Sequence, residues 1–134
     1  MREIKFRGIR RDNKEFVYGD GIHFPKSINY KGRCYIDGMQ ERANDWIEVA
    51  PETVGQFTGR KDKKGKEIYE GDILRVPYYT HTYLCEVRWS EKGYWYIKYI
   101  SDEGVEKIDE AFIENMQIIG NIYEHRYLII QGEW

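Results

Sequence analysis

Long apolar runs are missing from this chain of 134 residues: stretches such as Tyr127 to Ile130 span only a few positions, far below the roughly 20 a membrane helix needs. No helical membrane span is expected. The start carries Arg2, Glu3, Lys5, Arg7, Arg10 and Arg11, which interrupt any apolar core of a secretion signal, so the protein is expected to stay where it is made. Cysteine is equally scarce. With only Cys34 and Cys85 and no CxxC pair, a disulfide framework and an all-cysteine zinc site are excluded by count, and a reducing cytoplasm fits best. Phosphate-binding loops of the GxxxxGK[ST] or GxGxxG kind are absent, as is a GxSxG nucleophile elbow, so nucleotide hydrolysis, dinucleotide use and serine-hydrolase chemistry lack support. No cofactor is implied.

What the chain does have is aromatics and charge. Aromatic residues make up 16%, with twelve Tyr and four Trp, and these stiff, large side chains favour strands. The formal net charge of −2 conceals an asymmetry: 15 basic and 10 acidic residues up to Lys66, then 6 basic and 13 acidic from Glu67 onward. Such polarity can steer an acidic partner to the first half or let copies of the chain attract head to tail; it is also what a solvated surface can carry by chance.

Alternation places Ile4, Phe6 and Gly8 on one face of a first strand, and Asp12 to Lys14 predict a hairpin turn into Phe16–Tyr18. A second short hairpin is expected from Ile28 and Tyr30 through Gly32 to Cys34 and Ile36, and a strand around Trp46 to Val49 ends at Pro51 in a turn. Residues 1–59 thus read as an N-terminal subdomain of irregular β hairpins. The charged stretch RKDKKGK, residues 60–66, reads as a joint or an inter-strand loop.

Beyond it, Ile68 to Val76 turns at Gly71 and Asp72 into a strand that Pro77 is expected to end, followed by a loop through Tyr78 to Thr82. Tyr83 to Trp89 and Tyr94 to Ile100 form the clearest hairpin, turning at Ser90 to Gly93. A strand at Val105 to Ile108, one short helical turn capped by Asp109 and a last strand at Met116 to Tyr123 complete the pattern. Five short strands within about sixty residues must protect their edges. A mainly β chain is therefore expected, with residues 67–124 closing into a small SH3-like barrel and the apolar residues 125–134 docking on it or on another subunit.

Few residues stand out as chemistry. Glu67, Glu70 and Asp72 are the densest carboxylate group, able in principle to serve acid–base catalysis or a hard metal, though Asp after Gly at a strand entrance is ordinary turn chemistry. His81 and Cys85, four apart, share a strand face and would need further ligands to hold zinc. Nucleic-acid contact has candidates in Arg60, Lys61, Lys63, Lys64 and Lys66, joined by Arg10 and Arg11 at another hairpin tip. Partner contact is expected of Tyr78, Tyr79, Tyr127, Leu128, Ile130 and Trp134, which lie outside the alternating core pattern or in the apolar tail.

Taken together, EIKFRG from Glu3, VYGD from Val17, PETVGQFTG from Pro51, KDKKGKEIYEGDI from Lys61 and IIGNIYE from Ile118 resemble the YopX family over nearly the whole chain. That resemblance implies a protein of a phage or prophage, acting in the bacterial cytoplasm as an accessory factor, in a family without an assigned activity. It brings no catalytic residue. The reading that follows is a non-enzymatic binding or assembly module within a homo-oligomer, with an unidentified protein partner. A nucleic-acid-binding protein is the alternative, and a small hydrolase or nuclease using the carboxylate group is a further one.

Overall fold

In the computed structural model the described residues are 3–25, 32–37, 46–78, 80–100, 104–108 and 115–126. The chain divides into two compact units, Met1–Phe57 and Thr58–Trp134. It is mainly β.

In the first unit the expected hairpin forms between β1 (Phe6–Ile9) and β2 (Phe16–Gly19), in a register that sets Phe6 opposite Gly19 and Ile9 opposite Phe16. Arg10 N donates to Glu15 O at 2.8 Å to close it, and Asn13 Oδ1 accepts from Glu15 N, the local side-chain turn that short polar residues favour. A second sheet runs β3 (Ile22–His23), β4 (Cys34–Asp37) and β5 (Trp46–Val49), in that order. Here the expected partner of β4 differs: Ile36 pairs with Ile22, and the proposed Ile28–Tyr30 strand lies outside the described residues. Strand alternation puts Cys34, Ile36, Ile47 and Val49 on one face, where with Val17 they form the core of this unit. Pro51 opens a 3-10 turn, Pro51–Thr53, and Thr53 Oγ1 accepts from Ile9 N at 2.9 Å while donating to Ala50 O.

The unit boundary falls inside β6 (Gly55–Lys61), whose first residues pair with Phe6 and Arg7 of β1. The second unit follows with β7 (Glu67–Tyr69), β8 (Asp72–Tyr78), β9 (His81–Trp89), β10 (Trp95–Tyr99), β11 (Val105–Lys107) and β12 (Gln117–Asn121). Five of these form one antiparallel sheet in the order β11-β10-β9-β8-β12. On its inner face Leu74, Val76, Cys85, Val87 and Ile97 are fully or almost fully buried, together with Ile68 and Met116.

Three expectations are corrected. The loop from Tyr78 to Thr82 is a tight turn, since Tyr78 already pairs with His81. Pro77 does not end β8. Gly71 N bonds to Val87 O and Ile100 N to Leu84 O, so the odd residues of β9 bond toward β8 and the even ones toward β10. At the Pro77–Thr82 pair the ring nitrogen therefore faces away from β9, toward the side where the pairing of β12 has stopped at Arg75. Finally, the five strands do not close into a barrel: among the described residues β11 pairs with β10 alone and β12, in this sheet, with β8 alone. The β11 edge is three residues long, exposed and charged, which protects a sheet edge without closure. The helical turn expected after Asp109 and the docking tail lie outside the described residues, apart from the tail's first two residues, His125 and Arg126.

Candidate binding surfaces

The most specific stretch of the sequence, KDKKGKEIYEGDI, builds two turns. The first joins β6 to β7 by a three-residue loop, Lys63 to Gly65, closed by Asp62 N to Lys66 O at 2.8 Å and by Gly65 N to Asp62 O at 2.9 Å. This is a type I turn followed by a left-handed residue, and Gly65 supplies the positive φ of 81°. Asp62 is 6% exposed. Its Oδ1 accepts from Lys64 N and Lys66 N, both at 2.9 Å, and its Oδ2 accepts from Ile118 N of β12 at 3.0 Å. Burial opposes ionisation, but these three donors and the nearby Lys66 charge outweigh it and hold the carboxyl below its ordinary range. One carboxylate thus fixes the loop and ties it to the start of β12, with Lys63 N to Met116 O as a further tether.

Around this buried acid, Lys61, Lys63, Lys64 and Lys66 are exposed, and none forms an ion pair with a side chain among the described residues. Arg60 is half-buried. The other expected basic tip is different, because Arg10 is bound by Asp12 at 2.8 Å and Arg11 by Glu48 at 3.2 Å, so much of its charge is neutralised within the first unit.

The second turn lies between β7 and β8. Tyr69 N donates to Asp72 Oδ2 at 2.7 Å, and Asp72 is 1% exposed. Gly71, at φ 92°, sits under Tyr123: a Cβ placed there would come within 3.0 Å of the tyrosine ring. Gly71 O accepts from Ile122 N. The closing motif IIGNIYE makes its own turn beside this contact. Asn121 Oδ1 accepts from Tyr123 N and Glu124 N, Asn121 Nδ2 donates to Glu124, and His125 Nδ1 accepts from Asn121 N. Its ring lies where a Cβ on Gly120 would stand. The two motifs, about fifty residues apart in sequence, therefore meet at Gly71 and Tyr123.

Beside that meeting point opens a cleft of about 250 Å³, walled by Glu70, Glu86, Arg88, Trp89, Tyr96 and Tyr123. Register explains the grouping: Glu86 and Arg88 of β9 stand opposite Lys98 and Tyr96 of β10, on the face away from the core. Arg88 Nη2 donates to Glu86 Oε1 at 3.0 Å and also bonds Tyr96, which keeps the guanidinium firmly charged. A larger depression of about 670 Å³ shares the Trp89 and Tyr96 walls, and within it the Lys107 ammonium lies 4.5 Å over the Tyr94 ring.

The remaining candidates separate. Glu67, Glu70 and Asp72 do not gather as a metal-binding group, and no group of three or more His, Cys, Asp or Glu among the described residues could hold a metal. His81 is exposed at the start of β9, whereas Cys85 is fully buried; burial and then Glu106 push its thiol up to about 12. The side chains of Tyr78, Tyr79, Tyr127, Leu128, Ile130 and Trp134 lie outside the described residues. Sequence reasoning missed Asp62 and the cleft. The signal for Asp62 was local, an Asp followed by Lys-Lys-Gly, which favours a side-chain-closed turn.

A family model described as YopX protein matches residues 5–129. The crystal structure of protein EF1440 from Enterococcus faecalis is similar to this chain, with 24% identity, a TM-score of 0.52, and coverage of 94% of this chain and 97% of that one. This likeness concerns the fold. No curated protein matches the chain at a significant level.

Proposed function

We propose that this chain, which belongs to the YopX family, is a non-enzymatic binding module that self-assembles through its second unit. We read it as acting in the cytoplasm of a bacterium carrying a phage or prophage, the setting that the family resemblance implies. One observation carries the reading: oxygens of Thr58, Asp62, Asp72 and Asn121, the buried polar side chains of the shared motifs in the second unit, accept backbone N–H groups, so these side chains serve the fold. What faces solvent is sorted charge, four lysines on one hairpin and an acidic, aromatic cleft elsewhere. The strand order, in which the last strand returns beside the first of a four-strand meander, supports an SH3-like description of this sheet. Light scattering on the purified chain tests the assembly reading: a mass above the monomer at low salt is expected, and a monomer at every concentration and salt would end it.

The lysine hairpin favours a second reading, contact with nucleic acid. Rigidly presented lysines that form no side-chain ion pair among the described residues suit a phosphate backbone. This reading expects a gel shift with single- or double-stranded DNA that weakens as salt rises and when Lys61, Lys63 and Lys64 become Ala; no shift at low salt removes it.

A further inference from the structure

The hairpin and the cleft have complementary chemistry and are held apart by the fold. We propose that one copy of the chain inserts a lysine of its Lys61–Lys66 hairpin into the Glu70–Glu86–Trp89–Tyr96 cleft of a second copy, giving head-to-tail assembly. This inference rests on the reading of the protein as an assembly module and names its contact.

Three observations carry it. First, the exposed lysines stand on a loop that Asp62 fixes from within, so little conformational freedom is lost when the loop docks. Second, the cleft brings Glu70 to the rings of Trp89, Tyr96 and Tyr123 beside the Glu86–Arg88 pair, so the carboxylates of its wall outnumber the cations by one. Carboxylates together with the negative faces of aromatic rings attract an ammonium group, and the neighbouring depression already seats one, Lys107 over Tyr94. Third, the hairpin is anchored at the beginning of β12, through Met116 and Ile118, whereas the cleft is lined by Ile122 and Tyr123 beyond its end. The bulge after Ile118 sets Ile118 opposite Leu74 and Asn121 opposite Asp72, and Ile122 N bonds to Gly71 O, so the two anchors are three strand steps, roughly 10 Å, apart. That separation favours docking of a hairpin in another copy's cleft over docking in its own.

Because the contact joins two different patches, it is heterologous and propagates into a ring or an open chain. Mixing variants tests this directly. The hairpin variant Lys61→Ala/Lys63→Ala/Lys64→Ala retains an intact cleft, and the cleft variant Glu70→Lys retains an intact hairpin. Trp89→Ala is an independent cleft variant, with thermal melts to confirm that each chain is folded. By light scattering at low salt, the wild type should exceed the monomer mass, each variant alone should be monomeric, and an equimolar mixture of hairpin and cleft variants should give a dimer and nothing larger. A mixture that stays monomeric, or folded variants that each retain the wild-type mass, would overturn the contact. If the wild type itself is monomeric, the assembly reading fails with it. Loss of binding to a labelled DNA oligonucleotide in the hairpin variant, with self-association unchanged, would assign the lysines to nucleic acid instead.

Discussion

The carboxylate of Asp62 accepts the backbone N–H of Ile118 at 3.0 Å across 56 residues of sequence, and by its other oxygen it closes the hairpin that carries four exposed lysines. Fold and surface are coupled at that residue.

Replacing Asp62 by Ala leaves three N–H groups without their acceptor. Each such loss costs about 1–3 kcal/mol when buried and less where water reaches it, as at Lys64 and Lys66, so a total of about 2–4 kcal/mol is expected. Chemical denaturation measures it. Hydrogen exchange should quicken at Ile118 and Lys66, and unchanged protection there would contradict the bonding.

Acid should expose the same interaction. The folded carboxyl of Asp62 titrates below its ordinary value of 3.8. Its contribution is therefore complete above that value and declines as pH falls through the folded one. Melting temperature followed from pH 6 to pH 2 should drop less steeply at the acid end in Asp62→Asn than in the wild type. Parallel curves would remove Asp62 as a source of the acid dependence.

Gly71 is required by its φ of 92° as well as by the Tyr123 ring above it. Gly71→Ala should cost about 1–3 kcal/mol from backbone strain. Adding Tyr123→Ala relieves the ring contact but not the strain, so the double variant should recover little of the loss. Full recovery would place the cost in the ring contact.

Both cysteines are fully buried, and the Cys85 thiol is pushed up to about 12. Neither should react with a thiol reagent at neutral pH in the native state, and both should react in denaturant. Rapid native labelling would contradict the placement of Cys34 and Cys85 in their cores.

Much of the sheet was legible because alternation is local. Tyr83 to Trp89 and Tyr94 to Ile100 pair as their pattern requires, and Ser90 to Gly93 turn the chain between them, with Gly93 at φ 94°. Features that depend on distant partners were not legible. Pro77 signals a strand end, yet it is accommodated because its nitrogen faces the side that β12 has left. Barrel closure was inferred from the need to protect edges, whereas the short, charged β11 meets that need in another way. The carboxylates Glu67, Glu70 and Asp72 are close in sequence, but Asp72 turns inward to Tyr69 N while Glu70 lines the cleft. The cleft itself draws on β9, β10 and the KDKKGKEIYEGDI and IIGNIYE motifs, so no window of sequence contains it.

The central claim is that the shared motifs hold the fold while the charge they leave exposed drives self-association. Light scattering of the intact chain at low and at high salt tests it most directly. The account predicts a mass above the monomer at low salt that falls toward the monomer as salt screens the contact. A monomer at low salt and high concentration would contradict it.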